Sequence, residues 1–198
     1  MSIESLIVYF DYKSPYAYLA KDDARGLAAS FGLPLDWRPY TLEIPQFLGA
    51  VETRNPHQWR RVKYSYMDAR RIANERGLIV RGPKKIFDSR LSHIGALYAQ
   101  AQGVFDAYHD RVFESFFKRE LNIEDEAAIA AVLESSGAPE PEGFSAYAAG
   151  KGATLYTQIL SDAEELGVFG VPTFVVGEEI FWGGDRLDMV HRAIARAI

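Results

Sequence analysis

Two apolar stretches with a helix between them open the chain. Residues 6–10 (LIVYF) are continuously apolar, as in a strand that is buried on both faces. Ser14 and Pro15 then predict the start of a helix, because serine is a preferred N-cap residue and proline suits the first helical position. Residues 35–40 follow as a second strand, which Pro39 limits to a short or edge element. The start of the chain therefore predicts a β-α-β unit.

The end of the chain has a different order of elements. Residues 174–176 and 180–182 are short apolar runs joined by residues 177–179 (GEE), which predicts an antiparallel hairpin. Apolar residues at helical spacing from Leu187 onwards predict a last helix, which Asp185 would cap. A β-α-β unit followed by a β-β-α unit is the plan of the thioredoxin fold. We therefore predict an α/β protein with a thioredoxin-like fold.

The middle of the chain has a helical pattern throughout. The predicted helices cover residues 57–77, 91–103, 105–121, 125–137 and 144–166. The apolar face of the first of them carries Trp59, Val62, Tyr66, Ala69 and Ala73. This pattern predicts a large all-helical insertion domain, residues 42–153, within a thioredoxin-like domain formed by residues 1–41 and 154–198.

Composition and charge narrow the range of functions. The 198 residues carry a net charge of −5, whereas nucleic-acid binding favours a basic surface, so we expect no nucleic-acid partner. The N-terminus lacks the features of a signal peptide, and no apolar run is long enough to span a bilayer. We therefore predict a cytoplasmic protein with no membrane partner. The 4 histidines are scattered without ligand spacing, and we predict no metal site.

The absence of cysteine changes what a thioredoxin-like fold can do. Ser14 and Ala17 occupy the positions where a redox enzyme of this fold would carry its C-x-x-C pair. Thiol–disulfide exchange needs an attacking thiolate and a resolving sulfur, and this chain supplies neither. Any sulfur chemistry must therefore come from a bound thiol.

Three short motifs resemble those of a known family. Residues 14–16 (SPY), 170–173 (GVPT) and 183–187 (GGDRL) are similar, in the same order, to motifs of 2-hydroxychromene-2-carboxylate isomerases. These enzymes are relatives of kappa-class glutathione transferases and of DsbA-type disulfide oxidoreductases. The resemblance covers most of the chain. It implies a glutathione cofactor, a homodimer and the cis–trans isomerisation of a small aromatic acid.

Ser14 is the candidate catalytic residue. A serine hydroxyl at a helix N-terminus can donate a hydrogen bond to a thiolate, and the helix N-terminus itself favours an anion. The pKa of an unperturbed thiol is about 8.5, so a bound thiol is mostly protonated at neutral pH unless the protein lowers that pKa. The alternative is that Ser14 only caps the helix.

The resemblance also implies which residues bind glutathione. The bond before Pro172 would be cis, which would leave the backbone N–H and C=O of Val171 free of the sheet to pair with the cysteinyl part of the tripeptide. Gly184 and Asp185 would hold the γ-glutamyl end, with Asp185 meeting its ammonium group. An ordinary helix cap is the alternative for Asp185.

One helix face is expected to border the cleft for glutathione and substrate. Arg61, Tyr64 and Asp68 lie at i, i+3 and i+7, opposite the apolar stripe. The resemblance implies that Arg61 and Asp68 bind the cofactor and that Tyr64 contacts the substrate, with arginine in place of the family's usual lysine. The alternative is a solvated face supported by ion pairs of Arg71 with Asp68 and Glu75.

The chain departs from the family's pattern at two places. Asn55, a further candidate substrate ligand, is followed directly by Pro56, where the family has an Asn-Lys-Pro-Pro segment. Residues 81–85 (RGPKK) also differ, and they could reshape the same cleft. These departures leave the identity of the second substrate open.

The function predicted from the sequence is a glutathione-dependent cis–trans isomerase whose bound thiolate adds reversibly to a conjugated substrate. A kappa-like glutathione transferase would stop after the addition, and the sequence does not separate the two. A redox-silent thioredoxin-like module that binds a peptide or partner protein beside Pro172 is a further alternative. The sequence also leaves open a related enzyme that uses another small thiol or no thiol.

Overall fold

The computed structural model describes residues 3–198, which divide into two units. One unit takes in the described chain up to Leu42 together with Gln158–Ile198, and the other is Glu43–Thr157. The strands found among the described residues all belong to the first unit. Within residues 3–198, no helix is both long enough and apolar enough to cross a bilayer.

The first unit is built on a mixed sheet of four strands. These are β1 (Leu6–Phe10), β2 (Leu35–Pro39), β3 (Thr173–Val176) and β4 (Glu179–Trp182). β1 pairs in parallel with β2 and antiparallel with β3, and β3 pairs antiparallel with β4, which gives the order β2-β1-β3-β4. The β-α-β unit and the hairpin predicted from the sequence are both present.

The sheet brings the start of the first helix and the loop before β3 to the same edge. Helix α1 (Pro15–Ser30) follows β1, so its N-terminus lies at the carboxyl end of that strand. β3 runs antiparallel beside β1, with Thr173 opposite Tyr9. The loop that precedes β3 therefore reaches the same edge of the sheet as the start of α1. The last helix, α9 (Leu187–Ala197), packs against both α1 and β3.

The second unit is helical. Its helices are α2 (Ile44–Leu48), α3 (Pro56–Glu75), α4 (Arg90–Ala101), α5 (Phe105–Phe117), α6 (Glu126–Ser135) and α7 (Phe144–Ala149), followed by the start of α8 (Lys151–Glu165). α4 is buried along most of its length and packs against α5, α6 and α7. The core of this unit therefore lies around α4.

Two predicted helices have different ends in the structure. The helix expected over residues 144–166, with a bend at Gly150 and Gly152, is two helices, because the backbone at Gly150 leaves the helical region with φ −121° and ψ −108°. The helix expected to reach residue 121 ends at Phe117, because Arg119 adopts a positive φ of 63°. In both places a single backbone conformation ends the helix although the apolar spacing continues.

The predicted apolar stripe of α3 is only partly buried. Ala69 and Ala73 are fully buried, but Trp59, which we expected in the core, is 37% exposed. The guanidinium of Arg54 lies 5.0 Å from the centre of the Trp59 ring. A cation over the indole face stabilises this ring at the surface, where the periodicity of the helix predicted burial.

Candidate active site

Ser14 joins the start of α1 to the loop before β3. It is the N-cap residue of α1, and its Oγ accepts a hydrogen bond from the backbone N–H of Ala17 at 3.1 Å. The same hydroxyl donates a long hydrogen bond, 3.4 Å, to the carbonyl oxygen of Val171. Ser14 is buried, with 3% of its surface exposed. The helix cap that the sequence offered as an alternative is therefore real, and it leaves the hydroxyl hydrogen directed at the second motif.

The loop before β3 has its backbone turned out of the sheet. The peptide bond between Val171 and Pro172 is cis. Because β3 begins at Thr173, Val171 precedes the strand that pairs with β1. Thr173 fixes the loop from the other side, since its Oγ1 donates to the Gly170 carbonyl at 2.7 Å. The Val171 carbonyl, which we expected to be free for a ligand, accepts the hydrogen bond from Ser14 instead.

A glycine turn after β4 is tied to the same loop. The backbone N–H of Gly183 donates to the carbonyl of Pro172 at 2.9 Å. Gly183 has a φ of 108°, a conformation that strongly favours glycine, and a Cβ there would overlap the carboxylate of Asp185. A Cβ on Gly184 would lie 3.2 Å from the Cβ of Ala20 on α1. The three motifs thus meet within the first unit.

Asp185 does not cap the last helix. Gly184–Arg186 forms a 3-10 turn, and α9 begins at Leu187 without a side-chain cap. The cap interpretation for Asp185 is wrong because this extra turn carries its carboxylate away from the first N–H groups of α9. The side chain of Asp185 is 73% exposed, and its Oδ2 lies 3.5 Å from the Arg186 guanidinium. An exposed carboxylate of this kind can accept a ligand ammonium group.

A buried charged pair, to which the sequence analysis gave no role, holds the loop that leads to Ser14. The carboxylate of Asp11 is fully buried and accepts hydrogen bonds from the backbone N–H of Lys13 at 2.9 Å and of Leu42 at 2.8 Å. The ammonium of Lys13 donates to the Leu42 carbonyl at 3.1 Å and lies 3.5 Å from Asp11 Oδ2. The N–H of Ser14 donates to the Asp11 carbonyl at 2.9 Å. This network fixes the backbone at Ser14 and places a buried cation on the residue before it.

An exposed aromatic pair flanks the glycine turn. The rings of Phe169 and Trp182 lie 4.9 Å apart, and the two residues are 50% and 45% exposed. Trp182 directly precedes Gly183, and its indole lies against Gly170, where a Cβ would come within 2.6 Å of Nε1. The sequence predicted Trp182 only as a strand residue. The pair offers an apolar surface next to the loop that carries Val171.

The remaining candidate residues lie on or beside α3, in the second unit. Asn55 is the N-cap of α3 and forms a capping box with Gln58: its Oδ1 accepts from the Gln58 N–H, and its own N–H donates to Gln58 Oε1, both at 2.9 Å. Arg61 and Tyr64 are exposed, Tyr64 by 56%. Asp68 is partly exposed, and Arg71 Nη1 lies 3.7 Å from its carboxylate. This ion pair is one that the solvated-face alternative predicted.

Comparisons with known proteins agree with the fold and the site geometry described above. A family model described as a DSBA-like thioredoxin domain matches residues 5–195. The chain is 31% identical over 190 residues to a 2-hydroxychromene-2-carboxylate isomerase of Pseudomonas putida, covering 95% of this chain and 93% of the relative. The chain belongs to the 2-hydroxychromene-2-carboxylate isomerase family, within the DsbA-like proteins.

Similarity to solved structures agrees with this family assignment. A 2-hydroxychromene-2-carboxylate isomerase structure superposes with a TM-score of 0.79 at 30% identity, over 96% of this chain and 94% of that one. A probable DsbA oxidoreductase from Streptomyces coelicolor, at 19% identity, has the same TM-score of 0.79 over 98% and 89% of the two chains, and it shows the fold alone. The predicted thioredoxin-like fold with a helical insertion is thereby confirmed. In this member of the isomerase family, Ser14 stands at the start of α1 where no thiol of the chain is available.

Proposed function

We propose that this chain is a glutathione-dependent cis–trans isomerase of a 2-hydroxychromene-2-carboxylate-type aromatic acid. The observation that carries the proposal is the position of Ser14, which caps α1 within hydrogen-bond distance of Val171 in a chain without cysteine. The relatives named as isomerases of this compound support the reaction class. We expect the active protein to be a homodimer, as the family resemblance implies, and to lie in the cytoplasm.

The glutathione sulfur would lie beside the Ser14 hydroxyl. The hydrogen bond from Ser14 to the Val171 carbonyl is long, 3.4 Å, so the hydroxyl can turn from that oxygen and donate to a thiolate at little cost. The N-terminal end of α1 would favour the negative form of the thiol. Each unit by which the thiol pKa falls corresponds to about 1.4 kcal/mol of preferential binding of the thiolate.

The rest of the tripeptide would be held by backbone and by one carboxylate. The N–H of Val171 precedes β3 and would pair with the cysteinyl residue, as in strand addition, beside Pro172. The exposed carboxylate of Asp185 would receive the γ-glutamyl ammonium group, and the backbone of Gly184 would contact the same end of the tripeptide. These roles follow from the family resemblance, and the exposure of Asp185 supports them.

The assignments on α3 also remain proposals. Arg61 and Asp68 would contact glutathione, and Tyr64 and Asn55 would contact the aromatic substrate. The exposure of Tyr64 is compatible with a contact of this kind. The capping box weakens the assignment of Asn55, because its side-chain oxygen already serves the helix.

The reaction would proceed by reversible addition. When bound, glutathione would supply a thiolate nucleophile that adds reversibly to an electron-poor carbon of the conjugated substrate, so that the former double bond could rotate before the thiol is released again. Ser14 would donate a hydrogen bond to that sulfur at the start of α1, beside Val171. No atom is gained or lost, and neither glutathione nor the substrate is oxidised.

Calorimetric titration of reduced glutathione, combined with ultraviolet detection of its thiolate, tests the proposal. We expect saturable binding and a bound thiol that is ionised at neutral pH. Ser14→Ala should raise the bound-thiol pKa by about one unit or more, because a donor to the sulfur is lost. Ser30→Ala is the matched control: Ser30 lies at the exposed end of the same helix, where its hydroxyl donates to the Leu27 carbonyl.

The reaction itself is tested with 2-hydroxychromene-2-carboxylate and chromatographic separation of the cis and trans products. Isomerisation that requires catalytic glutathione supports the proposal, whereas accumulation of a glutathione adduct would assign the chain as a transferase. If reduced glutathione shows no binding and the chain isomerises nothing, the proposed function is wrong. Binding of extended peptides beside Pro172 would then favour the redox-silent module.

A further inference from the structure

A pocket of about 460 Å³ opens at the end of α5, within the second unit. Its lining includes two aromatic side chains, Phe87 and Phe116, the cations of Lys84 and Arg119, and the amide of Asn122. Residues 83–85, the last three of the segment 81–85 whose composition departs from the family's pattern, belong to the lining. None of these residues has a role in the proposed isomerase reaction.

Arg119 occupies a backbone position that glycine fills elsewhere in this chain. It is the second residue after the end of α5 and has a φ of 63°, the left-handed conformation that side chains disfavour. The same position after α1, α3, α4, α6 and α8 is glycine with positive φ: Gly32, Gly77, Gly103, Gly137 and Gly167. Among residues 3–198, Arg119 is the one non-glycine residue with positive φ. Glycine would suit this backbone conformation better than arginine. We therefore attribute the presence of arginine here to a role of its side chain.

Hydrogen bonds hold the arginine and the segment 81–85 in place. Arg119 Nε donates to the Gly82 carbonyl at 2.7 Å. In the same segment, the N–H of Arg81 donates to the Phe117 carbonyl at 3.0 Å and its Nη1 to the Lys118 carbonyl at 3.2 Å. The bond from Nε leaves the two terminal nitrogens of the Arg119 guanidinium for a ligand. The cation is therefore preorganised at the rim of the pocket.

The charges around the pocket leave a net positive rim. The ammonium of Lys85 pairs with Glu124 and lies over the Phe87 ring, 4.9 Å from its centre. Within the described part of the chain, no ion pair engages Lys84 or Arg119. Glu120 is the one carboxylate of the lining, and its charge also acts on the neighbouring Lys118. Two cations against one carboxylate favour a monoanion.

Two aromatic rings belong to the lining of the pocket. The rings of Phe87 and Phe116 meet edge to face, with centroids 5.4 Å apart and an interplanar angle of 83°. A flat ligand ring can pack against such a pair, since aromatic rings prefer offset or edge-to-face contacts. An arginine at the rim matches a carboxylate, which it binds through two parallel N–H groups.

We propose that this pocket is a binding site for a planar aromatic monocarboxylate, with the ring on Phe87 and Phe116 and the carboxylate on Arg119 and Lys84. The site lies wholly in the second unit and needs no glutathione. Because binding at this site is tested without a thiol, either proposal can fail without the other.

Titration of the full chain with 2-naphthoate, without glutathione, tests the site by calorimetry and by NMR of the ¹⁵N-labelled protein. We expect saturable binding, with the largest amide shifts at residues 84–87 and 116–122. Methyl 2-naphthoate, which has the ring but no charge, and acetate, which has the charge but no ring, should each bind at least about tenfold more weakly.

Arg119→Gly is the decisive variant, because glycine tolerates the positive φ and the turn is therefore retained. We expect this variant and Lys84→Gln each to weaken 2-naphthoate binding about tenfold, with unchanged circular dichroism. Arg111→Gln removes an exposed charge from α5 outside the pocket lining and should change affinity less than about twofold. Undetectable binding of 2-naphthoate, or binding that Arg119→Gly leaves intact, would overturn the proposal.

Discussion

The carboxylate of Asp11 receives the backbone N–H of Leu42 at 2.8 Å, across 31 residues of chain. Asp11 follows β1, and Leu42 is the residue at which the first unit gives way to the second. Lys13 completes the contact with its own hydrogen bond to the Leu42 carbonyl. The loop that positions Ser14 is therefore anchored to the end of the segment that leaves β2, and the anchor is polar although it is buried.

Asp11→Asn should destabilise the protein strongly. The substitution removes the charge that faces the buried ammonium of Lys13 and replaces one acceptor oxygen by a donor. Breaking a buried pair from one side costs about 3 kcal/mol or more, because the other charge stays buried without compensation. The free energy of unfolding in urea, by circular dichroism, measures the loss.

Asp36→Asn provides the comparison for this experiment. Asp36 also forms a close ion pair, with Arg38 at 2.7 Å, but its side chain is 38% exposed. Solvent screening should keep its effect below about 1 kcal/mol. If the two variants lost similar amounts of unfolding free energy, the buried Asp11 network would stabilise the protein no more than an exposed ion pair does.

Gly183→Ala should weaken glutathione binding. Gly183 has a φ of 108°, and an added methyl group would overlap the carboxylate of Asp185, so the turn must shift. The shift would also disturb the hydrogen bond from Gly183 to the Pro172 carbonyl. We expect a loss of affinity of about tenfold or more, measured by calorimetry.

Gly177→Ala separates this local effect from general strain. Gly177 lies in the hairpin turn with a φ of 62°, and a Cβ there would meet open space. Gly177→Ala should lower stability by about 1 kcal/mol, because an alanine disfavours positive φ, and Gly183→Ala should lower it by at least as much. A loss of glutathione affinity in Gly177→Ala equal to that in Gly183→Ala would remove the evidence that the turn at Gly183 binds the ligand.

The sequence predicted those features that depend on local patterns. Two such features are the apolar run of β1 and the Ser14–Pro15 start of α1. Burial on two faces and helix capping both show in residues that are adjacent in the sequence, so no tertiary information was needed to predict them. The Asp11–Lys13 pair was not predicted, because two charged residues after a strand read as a solvated loop. Its partner Leu42 becomes visible only once β1 and β2 are paired.

The predictions that were wrong or missing concern features that a local sequence pattern does not determine. Asp185 in front of an apolar helical pattern has the local signature of a cap, but a 3-10 turn intervenes between it and α9. Trp59 fits the helical period of α3, yet periodicity does not tell how far neighbouring elements cover a helix. The left-handed conformation of Arg119 was also not predicted, because glycine is the residue that usually indicates such a position.

The pH dependence of stability should contain a contribution from Asp22 on α1. Its partial burial raises the pKa of this carboxyl, but the hydrogen bonds and charges of Lys21 and Arg25 together outweigh this and lower the pKa below its ordinary value of 3.8. A pKa that is lower in the folded than in the unfolded state stabilises the protein above the unfolded pKa. That contribution disappears as the pH falls through the folded pKa.

Asp22→Asn should therefore reduce the free energy of unfolding at pH 7 and make no difference once both states are protonated in strong acid. The carboxylate is 58% exposed, so solvent screening keeps the effect below about 1 kcal/mol. Urea unfolding of both proteins over a range of pH measures the difference. A difference that is constant down to the acid limit would show that the charge of Asp22 is not its cause.

Trp182 should report the binding of glutathione through its fluorescence. Its ring is 45% exposed and packs at an angle of 58° against the ring of Phe169, and the residue directly precedes the turn that we assign to the γ-glutamyl group. A ligand on Val171 and Asp185 would exclude water from this indole and shift its emission. Trp59→Phe should retain the shift, whereas Trp182→Phe should abolish it while calorimetry still detects binding. If instead Trp182→Phe retains the full shift and Trp59→Phe loses it, the tripeptide binds away from the turn at Gly183, and the assignment of Asp185 fails with it.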